Sequence, residues 1–142
     1  MIVLLDTDVL LDVALDRAPH AEPAAKLFDS LERRPGTAFM AWHSISNFYY
    51  LVRPVQGGLE ARLLLLELAR FIQVAPTTTE SLLYAVQLDM GDFEDAMQVA
   101  AASACKADAI VTRNLRDYSK ASIRAAEPRT VLRELTLAAN QG

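Results

Sequence analysis

The sequence predicts an α/β fold: a three-layer α/β/α sandwich around a central, mainly parallel sheet. Three observations predict it. Short apolar runs alternate with longer helical patterns along the 142 residues, an order that implies parallel strands joined by crossover helices. The runs Val3-Leu4-Leu5, Phe39-Met40-Ala41 and Ala109-Ile110-Val111 are apolar at every position, as strands covered on both faces must be. No internal repeat, low-complexity segment or long linker interrupts the pattern. Residues 1–142 are therefore expected to form a single domain, which at this length buries about two-thirds of its unfolded surface.

In order, the pattern predicts strand 2–5, helix 8–15, helix 21–33, strand 37–41, helix 43–53, helix 58–70, strand 71–75, helix 79–89, helix 92–105, strand 109–112 and helix 129–139. A weak extra strand is expected within 122–126. Arg34-Pro35-Gly36 breaks the second helix. Pro54 through Gly58 is expected to turn the chain, and Pro76-Thr77-Thr78-Thr79 supplies a further break with a candidate N-cap. Ile45, Phe48, Tyr49 and Val52 fall on one helical stripe, as do Phe93, Ala96, Met97, Ala100, Ala101 and Ala104; both stripes are expected to face the core. Trp42 and Phe39 flank an apolar strand and are expected to be buried with it.

Composition narrows the function. A net charge of −4 argues against a broad basic platform for duplex DNA. It leaves nucleic acid open as a substrate, because a bound divalent cation can offset an acidic pocket. Cys105 is the only cysteine, which excludes an intramolecular disulfide and reads as a core thiol. The apolar start soon carries Asp6, Asp8 and Asp12, unlike a signal peptide, and no stretch is long enough to span a bilayer. A cytoplasmic protein is expected.

The carboxylates carry the chemistry. Asp6 ends the first strand, where open α/β sheets place their ligand sites, and an unpaired buried carboxylate is costly enough to need a reason. Asp92 and Asp95 open a later helix on one stripe, while Glu94, about a hundred degrees from Asp95, is expected to face solvent. Asp92 also suits an ordinary N-cap. Asp117 follows the strand 109–112 and a polar turn in which Thr112 and Asn114 can orient neighbouring carboxylates. Right-handed crossovers would bring the strand ends after Leu5 and Val111 to one edge. An all-oxygen pocket there selects a hard cation such as Mg²⁺ or Mn²⁺ and suits phosphate-ester hydrolysis. Arg113, Arg116, Lys120 and Arg124 are the nearest basic residues and could hold phosphate oxygens.

In these residues the chain resembles the PIN domain, the small ribonuclease fold of VapC-like toxins. The resemblance rests on Leu5-Asp6-Thr7-Asp8-Val9-Leu10, on Asp92-Phe93-Glu94-Asp95-Ala96, and on Ile110-Val111-Thr112-Arg113-Asn114-Leu115-Arg116-Asp117-Tyr118 in that order. It implies a Mg²⁺- or Mn²⁺-dependent endoribonuclease with Asp6, Asp95 and Asp117 as metal ligands. It also implies an RNA substrate, an antitoxin protein partner and a homodimer. The chain departs from the family at one acid: Asn47, on the helix after the second strand, stands where a Glu is usual. An amide supplies no negative charge, so Asn47 and Asn114 are assigned to placing ligands or the scissile phosphate, with Asp92 available to compensate. Two alternatives follow. One is a PIN-like module that binds RNA or protein without cleaving. The other is a haloacid-dehalogenase-like phosphatase with Asp6 as nucleophile, against which Asp92 and Asp95 follow the helix-like Val86-Gln87-Leu88-Asp89-Met90 rather than a strand, with no suitably placed Lys before them. The run Leu63-Leu64-Leu65-Leu66 with Leu68 is too apolar all round for a one-sided surface helix and is expected to meet a protein partner.

Overall fold

Burial of short apolar runs on both sides of one sheet organises the computed structural model, which describes residues 1–141; Gly142 lies outside the described residues. The strands are β1 (Val3–Leu5), β2 (Ala38–Met40), β3 (Ile72–Val74), β4 (Ala109–Val111) and β5 (Ala125–Ala126). Every pairing is parallel and the spatial order is β3-β2-β1-β4-β5. The helices are α1 (Thr7–Ala14), α2 (Ala21–Glu32), α3 (Trp42–Gln56), α4 (Gly58–Ala69), α5 (Thr79–Gln87), α6 (Phe93–Ala104) and α7 (Pro128–Gln141), with a 3₁₀ turn at Leu115–Tyr118. No described helix is long and apolar enough to cross a membrane.

Alternation within each strand separates the layers. Val3, Leu5, Ala38, Met40 and Val111 join one core with Val9, Leu27, Phe48, Leu68 and Val131, from α1, α2, α3, α4 and α7. Leu4 and Ile110 point the other way, onto Val99, Ala101 and Ala102 of α6. The alanines let α6 approach the sheet closely, and α5 packs over it through Ala85, Ala96 and Ala100. Two helical layers on opposite faces are the predicted sandwich. Each fully buried Leu, such as Leu4, Leu5, Leu10, Leu27 and Leu31, contributes about 1.5–3 kcal/mol by leaving water.

The strand order reverses at β1. From there the chain builds outward through β2 and β3, then returns to lay β4 on the other side of β1. The crevice between the carboxyl ends of β1 and β4 is thus the switch point at which such sheets bind ligands. Leu5 is in register with Val111, so Asp6 and Thr112 leave the sheet side by side.

Several expectations are corrected. The turn expected over Pro54 to Gly58 shrinks to Gly57, because α3 runs to Gln56 with Pro54 inside its last turns. Proline forfeits the N–H bond back one turn and its ring crowds the carbonyl there, yet the helix continues to Gly57, whose φ of 90° favours glycine. The extra strand shrinks to Ala125–Ala126. Trp42 is 68% exposed; it opens α3 just past the end of β2. Phe93 is also exposed; it begins α6 beyond the reach of the layer below, and the buried face is carried instead by Gln98, Val99 and the alanines.

Candidate metal and nuclease site

Asp6 is the hub. It N-caps α1, with the Thr7 N–H donating to Oδ1 at 2.7 Å, and the side chain is buried at the β1 end. Gln98 Nε2 also donates to Oδ1 at 3.1 Å, while the hydroxyls of Thr112 and Tyr118 each lie 2.9 Å from Oδ2. These donors favour the ionised form, yet loss of water outweighs them and Asp6 has a raised pKa.

Tyr118 links the first acid to the second. Its hydroxyl lies 2.9 Å from Asp6 Oδ2 and 3.4 Å from Asp95 Oδ1. A hydroxyl has one proton, and here it serves the nearer carboxylate. Asp95 then faces the phenol oxygen's lone pairs unless it carries a proton or a cation comes between. Burial and the charges of Asp92, Asp117 and Asp6 push Asp95 up to about 6. Asp117, on the 3₁₀ turn, and Asp92 are therefore within electrostatic reach of Asp95. Asp92 itself is the N-cap of α6, accepting from the Asp95 N–H at 3.1 Å.

Asp8 lies in the first turn of α1. Its Oδ2 accepts from the Arg113 N–H at 3.0 Å and from Asn114 Nδ2 at 3.2 Å, and its buried Oδ1 has no partner. Burial, then repulsion from Asp6, raises its pKa to about 6. Asn114 thus orients a carboxylate. Asn47 reaches a different one: its Nδ2 donates to Glu94 Oε1 at 2.8 Å. Glu94, expected to face only solvent, is exposed but tied toward the site.

Beneath the acids runs a buried polar layer that sequence reasoning largely missed. Gln98, Ser44 and Thr112 are fully buried. Gln98 Nε2 reaches Ser44 Oγ at 2.9 Å, and the Thr7 hydroxyl donates to Ser44 at 2.8 Å. The amide is oriented with its nitrogen toward Asp6 because a carboxylate only accepts; Gln98 Oε1 is left without a partner. A lone Gln in the run Ala96-Met97-Gln98-Val99-Ala100 was the available signal. Asp12 was also missed. It is 1% exposed and held by Arg17 Nε at 2.9 Å and Arg113 Nε at 2.6 Å. The expected basic group is accordingly depleted: Arg113 faces Asp12, Arg124 pairs with Glu134, and Lys120 lies 3.8 Å from Asp89.

Among the described residues no three His, Cys, Asp or Glu side chains stand close enough to enclose a metal ion unaided. Mg²⁺ does not require that, since it is held by one or two carboxylates and keeps several waters. The all-oxygen donors, the unneutralised charge around Asp6 and Asp95 and the orphaned Asp8 Oδ1 fit such an ion in their chemistry.

The chain matches the PIN domain model over residues 2–116. No curated protein matches it significantly in sequence. Among solved structures it is similar to VapBC2 from Rickettsia felis bound to a promoter DNA fragment, with a TM-score of 0.70, 15% identity, and 89% of this chain and 98% of that one covered. It is similar to VapBC-1 from nontypeable Haemophilus influenzae, with a TM-score of 0.66, 13% identity and coverage of 90% and 98%. Mycobacterium tuberculosis VapC20, a Sarcin-Ricin loop cleaving toxin, gives a TM-score of 0.58 at 16% identity, covering 76% of this chain and 86% of that one. Such identities speak to the fold, and the family model to descent. The chain belongs to the PIN domain family and has a VapC-like fold.

Proposed function

We propose that the chain, acting as one PIN unit, is a Mg²⁺- or Mn²⁺-dependent endoribonuclease and the toxin of a toxin–antitoxin pair. The observation that carries this reading is the pair Asp6 and Asp95, joined by one Tyr118 hydroxyl at the β1–β4 switch point and bordered by Asp117. Asp6 and Asp95 would hold the cation directly, with Asp117 as the third acid. When bound, the cation lowers the pKa of a water and offsets charge on the phosphate under attack.

The chain's own groups do the positioning. Thr7, Gln98, Thr112 and Tyr118 fix both oxygens of Asp6. Asn114 and the Arg113 N–H fix Asp8 beside it. Arg116 has no acidic partner among the described residues and is the basic side chain assigned to an RNA phosphate. Family membership and the likeness to VapBC proteins support the toxin role and an antitoxin partner. So does the exposed apolar surface of α3 and α4, where Tyr50, Leu51, Val55, Leu59, Leu63 and Leu66 face outward; a homodimer would use such a surface too.

Digestion of structured and unstructured RNA with Mn²⁺ tests the reading. Wild type is expected to cleave, and Asp6→Asn or chelation to stop it. RNA binding without cleavage would favour a non-cleaving module, the reading that Asn47 motivates. Cleavage that survives Asp6→Asn would refute the assignment.

A further inference from the structure

We propose that Glu94 supplies the carboxylate that position 47 lacks, with Asn47 as its positioning residue. The inference rests on the metal-dependent reading above. Asn47 sits on α3 and Glu94 in the first turn of α6, and the hydrogen bond from Asn47 Nδ2 to Glu94 Oε1 at 2.8 Å ties the two helices together. An amide can donate to a carboxylate, whereas a Glu at position 47 would repel it. Asn47 with Glu94 therefore places one negative charge where a Glu at 47 would place one. Glu94 immediately precedes Asp95 in the first turn of α6, the helix end that brings Asp95 to the Tyr118 hydroxyl.

Asp92 is the N-cap of α6 through Oδ1, and among the described residues no hydrogen bond ties it to Asn47. A second observation lies at the same hub: fully buried Gln98, hydrogen-bonded to Asp6, keeps Oε1 without a partner. Buried polar groups without a partner are rare in native structures, and they occur at functional sites. The competing account makes Glu94 a helix-dipole acid whose contact with Asn47 is incidental.

Mn²⁺ affinity measured by calorimetry or electron paramagnetic resonance, without RNA, separates these accounts. Glu94→Gln is expected to weaken Mn²⁺ binding about ten- to a hundredfold, and Glu80→Gln, a carboxylate outside the crevice, to leave it unchanged. Asn47→Ala is expected to weaken binding as well, with the Asn47→Ala/Glu94→Gln double variant no worse than Glu94→Gln alone, because Asn47 acts through Glu94. Wild-type affinity in Glu94→Gln alongside lost binding in Asp6→Asn would overturn the role of Glu94 and leave the nuclease reading standing. Wild-type affinity in both would sink the nuclease reading itself. Additive losses in the double variant would overturn the positioning role of Asn47.

Discussion

Replacing Asp8 by Asn should stabilise the metal-free protein at neutral pH. Asp8 is largely buried beside Asp6, and its pKa rises from 3.8 to about 6. That shift corresponds to about 3 kcal/mol against the charged form. Asn can still accept from the Arg113 N–H and the Asn114 amide through one oxygen. Its NH₂ then occupies the place of Oδ1, which has no partner, at a cost of about 1–2 kcal/mol. The net gain is about 1–2 kcal/mol, or about 3–6 °C in Tm for a chain of this length.

The sign depends on pH. A folded pKa above the unfolded one gives stability that is present below 3.8 and lost as pH rises through about 6. The Asn variant should therefore melt above wild type at pH 7.5 and level with it or below at pH 4. Scanning calorimetry in chelator, read as the difference between the two proteins at each pH, cancels the histidines and other shared groups. A variant less stable than wild type at pH 7.5, or a difference that ignores pH, would refute the reasoning. Saturating Mn²⁺ should stabilise wild type, by about 2.7 kcal/mol at a hundred times its Kd.

Other outcomes follow from the same contacts. Asp12→Ala strands Arg17 and Arg113, whose side chains are 40% and 28% exposed and can regain water; urea unfolding should show a loss of about 2–3 kcal/mol, below the range for a wholly buried pair. Gln98→Leu removes the donor to Asp6 and Ser44 and should cost about 2 kcal/mol in the same assay; a neutral result would mean that the polar layer is dispensable. Trp42 is the sole tryptophan and 68% exposed, so native emission should be red-shifted and open to acrylamide quenching, where a blue-shifted, protected signal would place it in a core.

The sheet and its layers were legible because the strands are apolar at consecutive positions and the helices between them keep their period. The placement of Asp6 followed from strand polarity alone, since any residue after Leu5 must leave at the switch point. What stayed hidden depends on distant partners. Glu94 looked solvated because helical angle says nothing about an Asn on another helix. Tyr118 was legible as an aromatic in a motif, but its hydroxyl bridge needs both acids in place. Asp12 and Gln98 sit in apolar runs where only the folded neighbours reveal that they are satisfied. Trp42 and Phe93 misled for a local reason, as each opens a helix just past the edge of the layer that buries its neighbours.

The most direct measurement is anomalous diffraction from crystals soaked in Mn²⁺. The account predicts a Mn²⁺ peak against the carboxylates of Asp6 and Asp95, absent from Asp6→Asn crystals. A wild-type crystal with no Mn²⁺ there, or with Mn²⁺ bound only elsewhere, would contradict it.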